Sequence, residues 1–420
     1  MKKTLLNTIL SCCMASTLLA GCASSASAVS TSSPASGNTD SRQSMMTLYK
    51  QFGISDGNTV CSPLSIYLAL SMLADCTADA SQQQLLTLLE AEDTESLKQE
   101  AQRLYRQYNF QKMLDEDGAP KDEKDPDKAQ LISKVSDALF VNQDAGLKKK
   151  ALKDIEKDFN ADVYSGVPGT AEFDKVFRDW LNEATNNLLQ EQADGMSLDP
   201  DTVLALASAI YYKAPWVNSF SEYETAKETF HSPDGDIEVD MMHEQESMLY
   251  AAKDAFTAVA LDLHDGSTCW IILPKEGRNP SDLKEDEQLY ELLESGSESD
   301  NVTWQEVSLS LPKMDITSEM SLVDGLQSLG ITDVFEAGTA DFTPLSDSDN
   351  IFVSEIQHDA GFTADEDGVE AAAFTVVMME ATSIEEQEPI EFTVDRPFLF
   401  AVTGMDGTIL FGGSAADPQP

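Results

Sequence analysis

The segment DEDGVEAAAFTVVMMEATSIEEQE runs from Asp365 to Glu388 of a 420-residue chain. Two acidic runs, Asp365-Glu366-Asp367 and Glu385-Glu386-Gln387-Glu388, enclose a middle of small and apolar residues. Local propensity there contradicts itself: Ala371-Ala372-Ala373 favours helix, whereas Phe374-Thr375-Val376-Val377 favours strand. Along Val369, Ala371, Ala373, Thr375, Val377 and Met379 every second side chain is small or apolar, which suits the buried face of a strand. A β-prone, Pro-free segment left on a surface is an edge-pairing hazard. Two readings stand on these residues alone: an ordinary sheet strand between acidic turns, and a loop able to become a strand.

The surrounding chain is long enough for a large core, in one big or two ordinary domains. Its 42% hydrophobic content indicates a globular protein. A net charge of −47 repels nucleic acid and anionic membrane surfaces. The acidity is spread along the chain and serves solubility. No DxDxDG loop marks a calcium site. At the N-terminus, Lys2-Lys3, an apolar stretch from Leu5 to Leu19 and then Ala20-Gly21-Cys22 read as an export signal over residues 1–21. The apolar run is too short and interrupted for a membrane span. From Ala23 to Arg42 the chain is Ser/Ala/Thr-rich, so residues 22–42 are expected to form a disordered tether before a domain at 43–420.

Within that domain, Ser62 is a good N-cap and Pro63 sits where a missing N–H costs nothing. The residues that follow are apolar almost all round, which predicts a buried helix. Cys61 and Cys76 bracket it roughly 20 Å apart, too far for a disulfide. Cys61, Cys76 and Cys269 are therefore expected as buried free thiols. Residues 111–130 read as a charged surface loop and an insertion. An amphipathic helix is expected over 148–160. Val203 to Lys213, VLALASAIYYK, is nearly continuous in apolar residues and predicts a strand covered on both faces. His231, His243 and His264 show no ligand spacing, and no hydrolase, metalloprotease, P-loop or C-x-x-C pattern appears. Nothing in the residues points to enzyme chemistry, a metal or a cofactor.

Glu366-Asp367-Gly368-Val369-Glu370-Ala371-Ala372-Ala373 resembles the hinge of the reactive-centre loop of serpins, the serine protease inhibitor superfamily. Other motifs follow in the family's order. Asn58 to Leu73 resembles its N-x-x-x-SP-x-SI-x-x-AL-x-ML helix, Asp137 to Phe140 its N-A-L-F strand, and Val203 to Trp216 its N-A-I-Y-F-K-G-x-W strand. Cys269 to Pro274, Leu311-Pro312-Lys313-Met314, Ala340-Asp341-Phe342, Val353 to Ala360 and the strands at Asp395 to Phe400 and Leu410 to Gly413 continue the match. It covers about residues 43 to 418. Ser208 stands where the family has Asn, Asp359 where it has lysine, and Val369 where it has Thr or Ser. The resemblance implies an α+β serpin fold: a large central mixed sheet, further sheets, about eight or nine helices and an exposed reactive-centre loop over about 366–391. It implies that Ser62, Ser65, His358 and Trp216 lie where the sheet opens. Leu19-Ala20-Gly21-Cys22 is similar to a bacterial lipoprotein box, which would make Cys22 the lipidated first residue of an exported, membrane-anchored chain, at the cell surface or released.

The resemblance further implies a suicide-substrate mechanism, with the target serine protease held as a covalent complex; the net charge already argues against a nucleic-acid partner. A protease attacks the loop and is acylated; the cut loop enters the central sheet and drags the protease with it. Insertion requires an inward face without charge or Pro. Val369, Ala371, Ala373 and Thr375 meet that need, with Glu370, Ala372 and Phe374 outward. Family spacing from Gly368 places the reactive bond at Thr382–Ser383, with Met379, Glu380 or Ala381 as alternative positions. Small, uncharged Thr382 suits an elastase-like pocket and gives a trypsin-like pocket no partner. The alternative is a non-inhibitory surface or chaperone-like protein on the same fold. The protein is expected to be a monomer.

Overall fold

The computed structural model describes residues 41–115, 118–122, 130–190, 193, 195–348, 351–369 and 388–419. Helix α1 (Ser41–Phe52) begins two residues inside the stretch expected as tether. Ser41, Ser44, Met45, Leu48, Tyr49 and Phe52 form a buried stripe, and packing that stripe starts the helix early. Strand β1 (Thr59–Cys61) leads into α2 (Pro63–Cys76), where the Ser62 hydroxyl accepts from Ser65 N–H at 3.2 Å as the expected cap. α2 is buried nearly throughout, so truncating one of its leucines would cost about 2–5 kcal/mol.

Helices α3 (Asp79–Leu88) and α4 (Thr94–Tyr108) follow, the latter opened by a reciprocal Asp93–Ser96 capping box. The stretch expected as a surface loop instead contains a hairpin, β2 (Phe110–Leu114) with β3 (Pro120–Asp122), docked along β4 (Leu131–Asn142). An edge strand bonds on one side only, which is why Pro120 is tolerated there. Helix α5 (Lys149–Asp158), β5 (Asp162–Gly166), α6 (Ala171–Ala184) and β6 (Leu204–Pro215) complete the first half.

The second half runs β7 (Ala226–Ser232), β8 (Gly235–Ala252), β9 (Phe256–Asp262), β10 (Thr268–Pro274), α7 (Glu287–Ser295), β11 (Val302–Pro312), β12 (Met314–Ser321) and α8 (Val323–Ser328). It closes with β13 (Gln357–Ala364), β14 (Gly368–Val369), β15 (Ile390–Thr393), β16 (Phe398–Thr403) and β17 (Ile409–Ala415).

Among the described residues these strands form two mixed sheets. One has the order β12-β13-β14-β6-β4-β2-β3, with β5 on β4; the other has β1-β17-β16-β10-β9-β8-β11-β15, with β7 on β8. β6 is covered on both faces, as its apolar run predicts. Leu204, Leu206, Ile210, Tyr212 and Ala214 join the main core with α2. Ala205, Ala207 and Ala209 pack under α6 with Phe140, Phe173 and Trp180. Small residues on the α6 side let that helix lie close to the sheet.

Candidate functional site

β13 ends at Ala364, and the chain turns through Asp365-Glu366-Asp367 back into β14. The Asp365 carboxylate makes the turn by accepting from Asp367 N–H at 3.0 Å and Gly368 N–H at 3.3 Å. β14 then lies between β13 and β6, antiparallel to both: Val369 stands opposite Ala364 on one side and Ala214 on the other, and Gly368 opposite Pro215. Val369 is buried there. A Cβ at Gly368 would sit 2.5 Å from Ala214 O and 2.6 Å from Pro215 Cα, so only glycine permits this approach of two backbones.

The first acidic run is not the solvent-facing turn its charge implies. Glu366 is only 6% exposed. Its carboxylate pairs with Lys313 Nζ at 2.6 Å and accepts from the Thr225 hydroxyl at 2.6 Å. Burial alone would push that carboxyl up, but Lys313 and Thr225 outweigh it and hold it below its ordinary range. Asp365, which Lys313 attracts without an ion pair, is raised because burial outweighs that pull and its turn N–H bonds. Trp216 clamps the turn: its indole N–H donates to Asp365 O at 2.9 Å and its backbone N–H to Asp367 O at 3.0 Å. Phe220 N–H donates to Glu366 O at 2.9 Å. Trp216 therefore holds the turn between β13 and β14.

The other three residues expected at the sheet opening meet farther along, where the start of α2 lies against the same sheet. His358 Nε2 accepts from Ser62 N–H at 3.0 Å, and the Ser208 hydroxyl donates to Ser65 O at 3.1 Å. Trp216 lies eight residues beyond Ser208, about 26 Å along an extended chain, so the expected set divides into a residue at the turn and a mid-sheet cluster. Ser208 retains a bond to α2 although it replaces the family's asparagine. Burial lowers His358 to about 4, which keeps its imidazole neutral.

The sequence reading missed Asp137. It stands directly opposite Ser208 on β4, is 4% exposed, and burial pushes it to about 7 against the pull of the Ser208 hydroxyl. Among the described residues its Oδ1 and the Ser65 hydroxyl have no hydrogen-bond partner. The available signal was an acid at an inward position between Val135 and Leu139. Lys313 and Thr225 were also missed as site residues. Lys313 stood in plain view inside Leu311-Pro312-Lys313-Met314, without a sign that it meets Glu366.

Glu370, Ala371, Ala372, Ala373 and Thr375, the reactive-bond candidates Met379, Glu380, Ala381, Thr382 and Ser383, and Cys22 all lie outside the described residues. The chain is described again from Glu388 and enters β15, which pairs in parallel with β11 from Val307 to Ser310. Among the described residues no cluster of His, Cys, Asp and Glu is suited to a metal ion, and no helix is long and apolar enough to cross a membrane. Cys61, Cys76 and Cys269 are buried free thiols, Cys269 raised by burial to about 12.

Residues 40–418 match the family model described as Serpin (serine protease inhibitor). The chain is 28% identical to an uncharacterized serpin-like protein of Thermococcus kodakarensis, over 89% of this chain and 83% of that one. It is 31% identical to antichymotrypsin-2 of Bombyx mori, over 67% of this chain and 75% of the relative. Among solved structures, the thermophilic serpin tengpin in its native state superposes with a TM-score of 0.77 at 21% identity, over 90% of this chain and 93% of that one. Thyroxine-binding globulin in complex with thyroxine gives 0.71 at 21% identity, over 90% of this chain and 100% of that one. At these identities the two structures bear on the fold alone.

Proposed function

The chain belongs to the serpin family, and from that premise we propose that it inhibits serine proteases by trapping them as its loop enters the sheet. The observation that carries this proposal is the place of β14: Gly368 already pairs with β6, and Val369 with both β13 and β6. Antiparallel pairing advances one residue on each strand together. Continued past Val369, it brings Ala371 beside Tyr212 and Phe362, Ala373 beside Ile210 and Ala360, and Thr375 beside Ser208 and His358. The one polar residue of the inward hinge set thus arrives at the polar cluster, while small apolar residues meet the apolar levels. Each added pair and each buried side chain favours the inserted strand.

After a protease cuts the loop and is acylated, insertion competes with hydrolysis of the acyl-enzyme, and fast insertion wins. We propose Thr382–Ser383 as the cut bond and elastase-like enzymes as targets, because Thr382 offers a small uncharged side chain. We further propose that the protein works outside the cytoplasm as a monomer, anchored by lipid on Cys22; metabolic labelling with an acyl-chain analogue, lost in Cys22→Ser, tests the anchor. The neighbour bound to thyroxine supports a second possibility, a non-inhibitory binding protein on the same fold.

Mixing the protein with an elastase-like protease and with trypsin, followed by SDS gel electrophoresis, tests the proposal. An SDS-stable complex with the elastase-like enzyme is expected, with negligible inhibition of trypsin. Cleaved chain without complex throughout a protease panel would overturn it.

A further inference from the structure

Where β4 and β6 cross α2 and β13 meets its N-cap, two ionisable side chains, Asp137 and His358, are buried at the polar cluster that the inserting strand would reach. Asp137 on β4 faces Ser208 on β6 directly. Ala364 and Ala214 flank Val369, so six residues back along each strand His358 stands level with Ser208. Asp137 and His358 therefore lie on either side of Ser208, and the cluster is tied to α2 through Ser62 and Ser65.

Among the described residues no opposite charge compensates either group. α2 carries no ionisable side chain from Pro63 to Ala74 except Tyr67. β6 presents Ser208. β5 brings Asp162, paired with Ala138 and of the same sign as Asp137. α4 brings Tyr105, whose hydroxyl donates to Val135 O. Beside His358 are Ser62, the protonated buried thiol of Cys61 on β1, and Met320 opposite it on β12. Asp359, next along β13, points to the other face and pairs with Glu319 in register.

We propose that Asp137 and His358 form a proton-balanced pair across the seam between β6 and β13. When the seam opens, Asp137 releases a proton to solvent and His358 takes one up, so opening is equally easy across mildly acidic pH. The signs follow from the two environments. Closed, burial keeps Asp137 protonated up to about pH 7 and His358 neutral down to about pH 4. Opened and wetted, each returns towards its ordinary value, about 3.9 for the carboxyl and about 6.5 for the imidazole. Proton release from Asp137 favours opening by up to about tenfold for each unit of rising pH, whereas proton uptake by His358 disfavours it by the same factor. Between about pH 4.5 and 6.5 the two cancel. This balance is a property of the intact sheet and does not depend on any protease being trapped.

Hydrogen exchange at the amides of β6, corrected for the intrinsic pH dependence of exchange, reads the seam opening. From about pH 4.5 to 6.5, wild type is expected to vary by no more than about threefold. With rising pH, exchange in Asp137→Asn should fall by several-fold to tenfold per unit, and in His358→Gln should rise by a similar factor. Single variants as flat as wild type, or slopes of the same sign, would overturn the pair. If either variant fails to fold, Asp137→Ser or His358→Asn replaces it. Wild type also tests the balance unaided, because a slope near tenfold per unit contradicts it.

Discussion

Val369→Arg forces a choice that the hinge geometry makes calculable. Val369 is 3% exposed and paired on both sides. An arginine kept in that slot buries a charge with no partner, which costs several kcal/mol even after relaxation. Releasing the hinge forfeits the burial of the valine side chain, about 1.5–3 kcal/mol. It also forfeits a few backbone hydrogen bonds worth about 1 kcal/mol each. Release therefore costs on the order of 3–5 kcal/mol and is the easier course. Insertion after cleavage must pass the same slot first. If its transition state carries most of that penalty, it slows by roughly two to three orders of magnitude, since each 1.36 kcal/mol is tenfold. Deacylation then overtakes insertion. Titration of an elastase-like protease should show Val369→Arg turned over as a substrate. Val369→Thr, which exchanges a methyl for the hydroxyl common in the family, should stay within about tenfold of wild type, a change of roughly 1 kcal/mol. A Val369→Arg variant that trapped protease at wild-type stoichiometry would refute the slot mechanism.

Two further outcomes are expected. Ala373→Pro removes a backbone donor from the strand that must form beside Ile210; SDS gels should show cleaved chain replacing the complex, and an undiminished complex would count against insertion. Lys313→Met strands the Glu366 carboxylate in its buried turn, at a cost of about 1–3 kcal/mol because Lys313 itself is partly solvated. The denaturant midpoint should fall and largely recover in Lys313→Met/Glu366→Gln, which removes the unpaired charge; a midpoint indifferent to either change would show that the ion pair does not hold the hinge.

The elements that dominate the core were legible because their apolar pattern admits little else. α2 carries its cap, its first-turn proline and an all-round apolar surface in consecutive residues, and β6 has a run too apolar for either face to meet water. Burial of the acidic turn was not legible, because the charge of Glu366 says nothing about a lysine brought beside it from the far end of another strand. Trp216 was grouped with Ser62, Ser65 and His358 because a one-dimensional string does not measure distance along β6. The β2–β3 hairpin was hidden by Gly118, Pro120 and many charges, which suit an edge ribbon as well as a loop. Asp137 was passed over because a single acid in an apolar strand gains meaning only once Ser208 stands opposite it.

If the loop is the strand that fills the seam between β6 and β13, cutting it should leave a more stable protein than the intact one. The direct measurement is thermal unfolding of the intact chain and of the same chain cleaved once between Gly368 and Glu391. The account predicts a clearly higher melting temperature for the cleaved form, because a new strand bonds to both neighbours and buries its inward face. A cleaved form that melts at or below the intact temperature would contradict it.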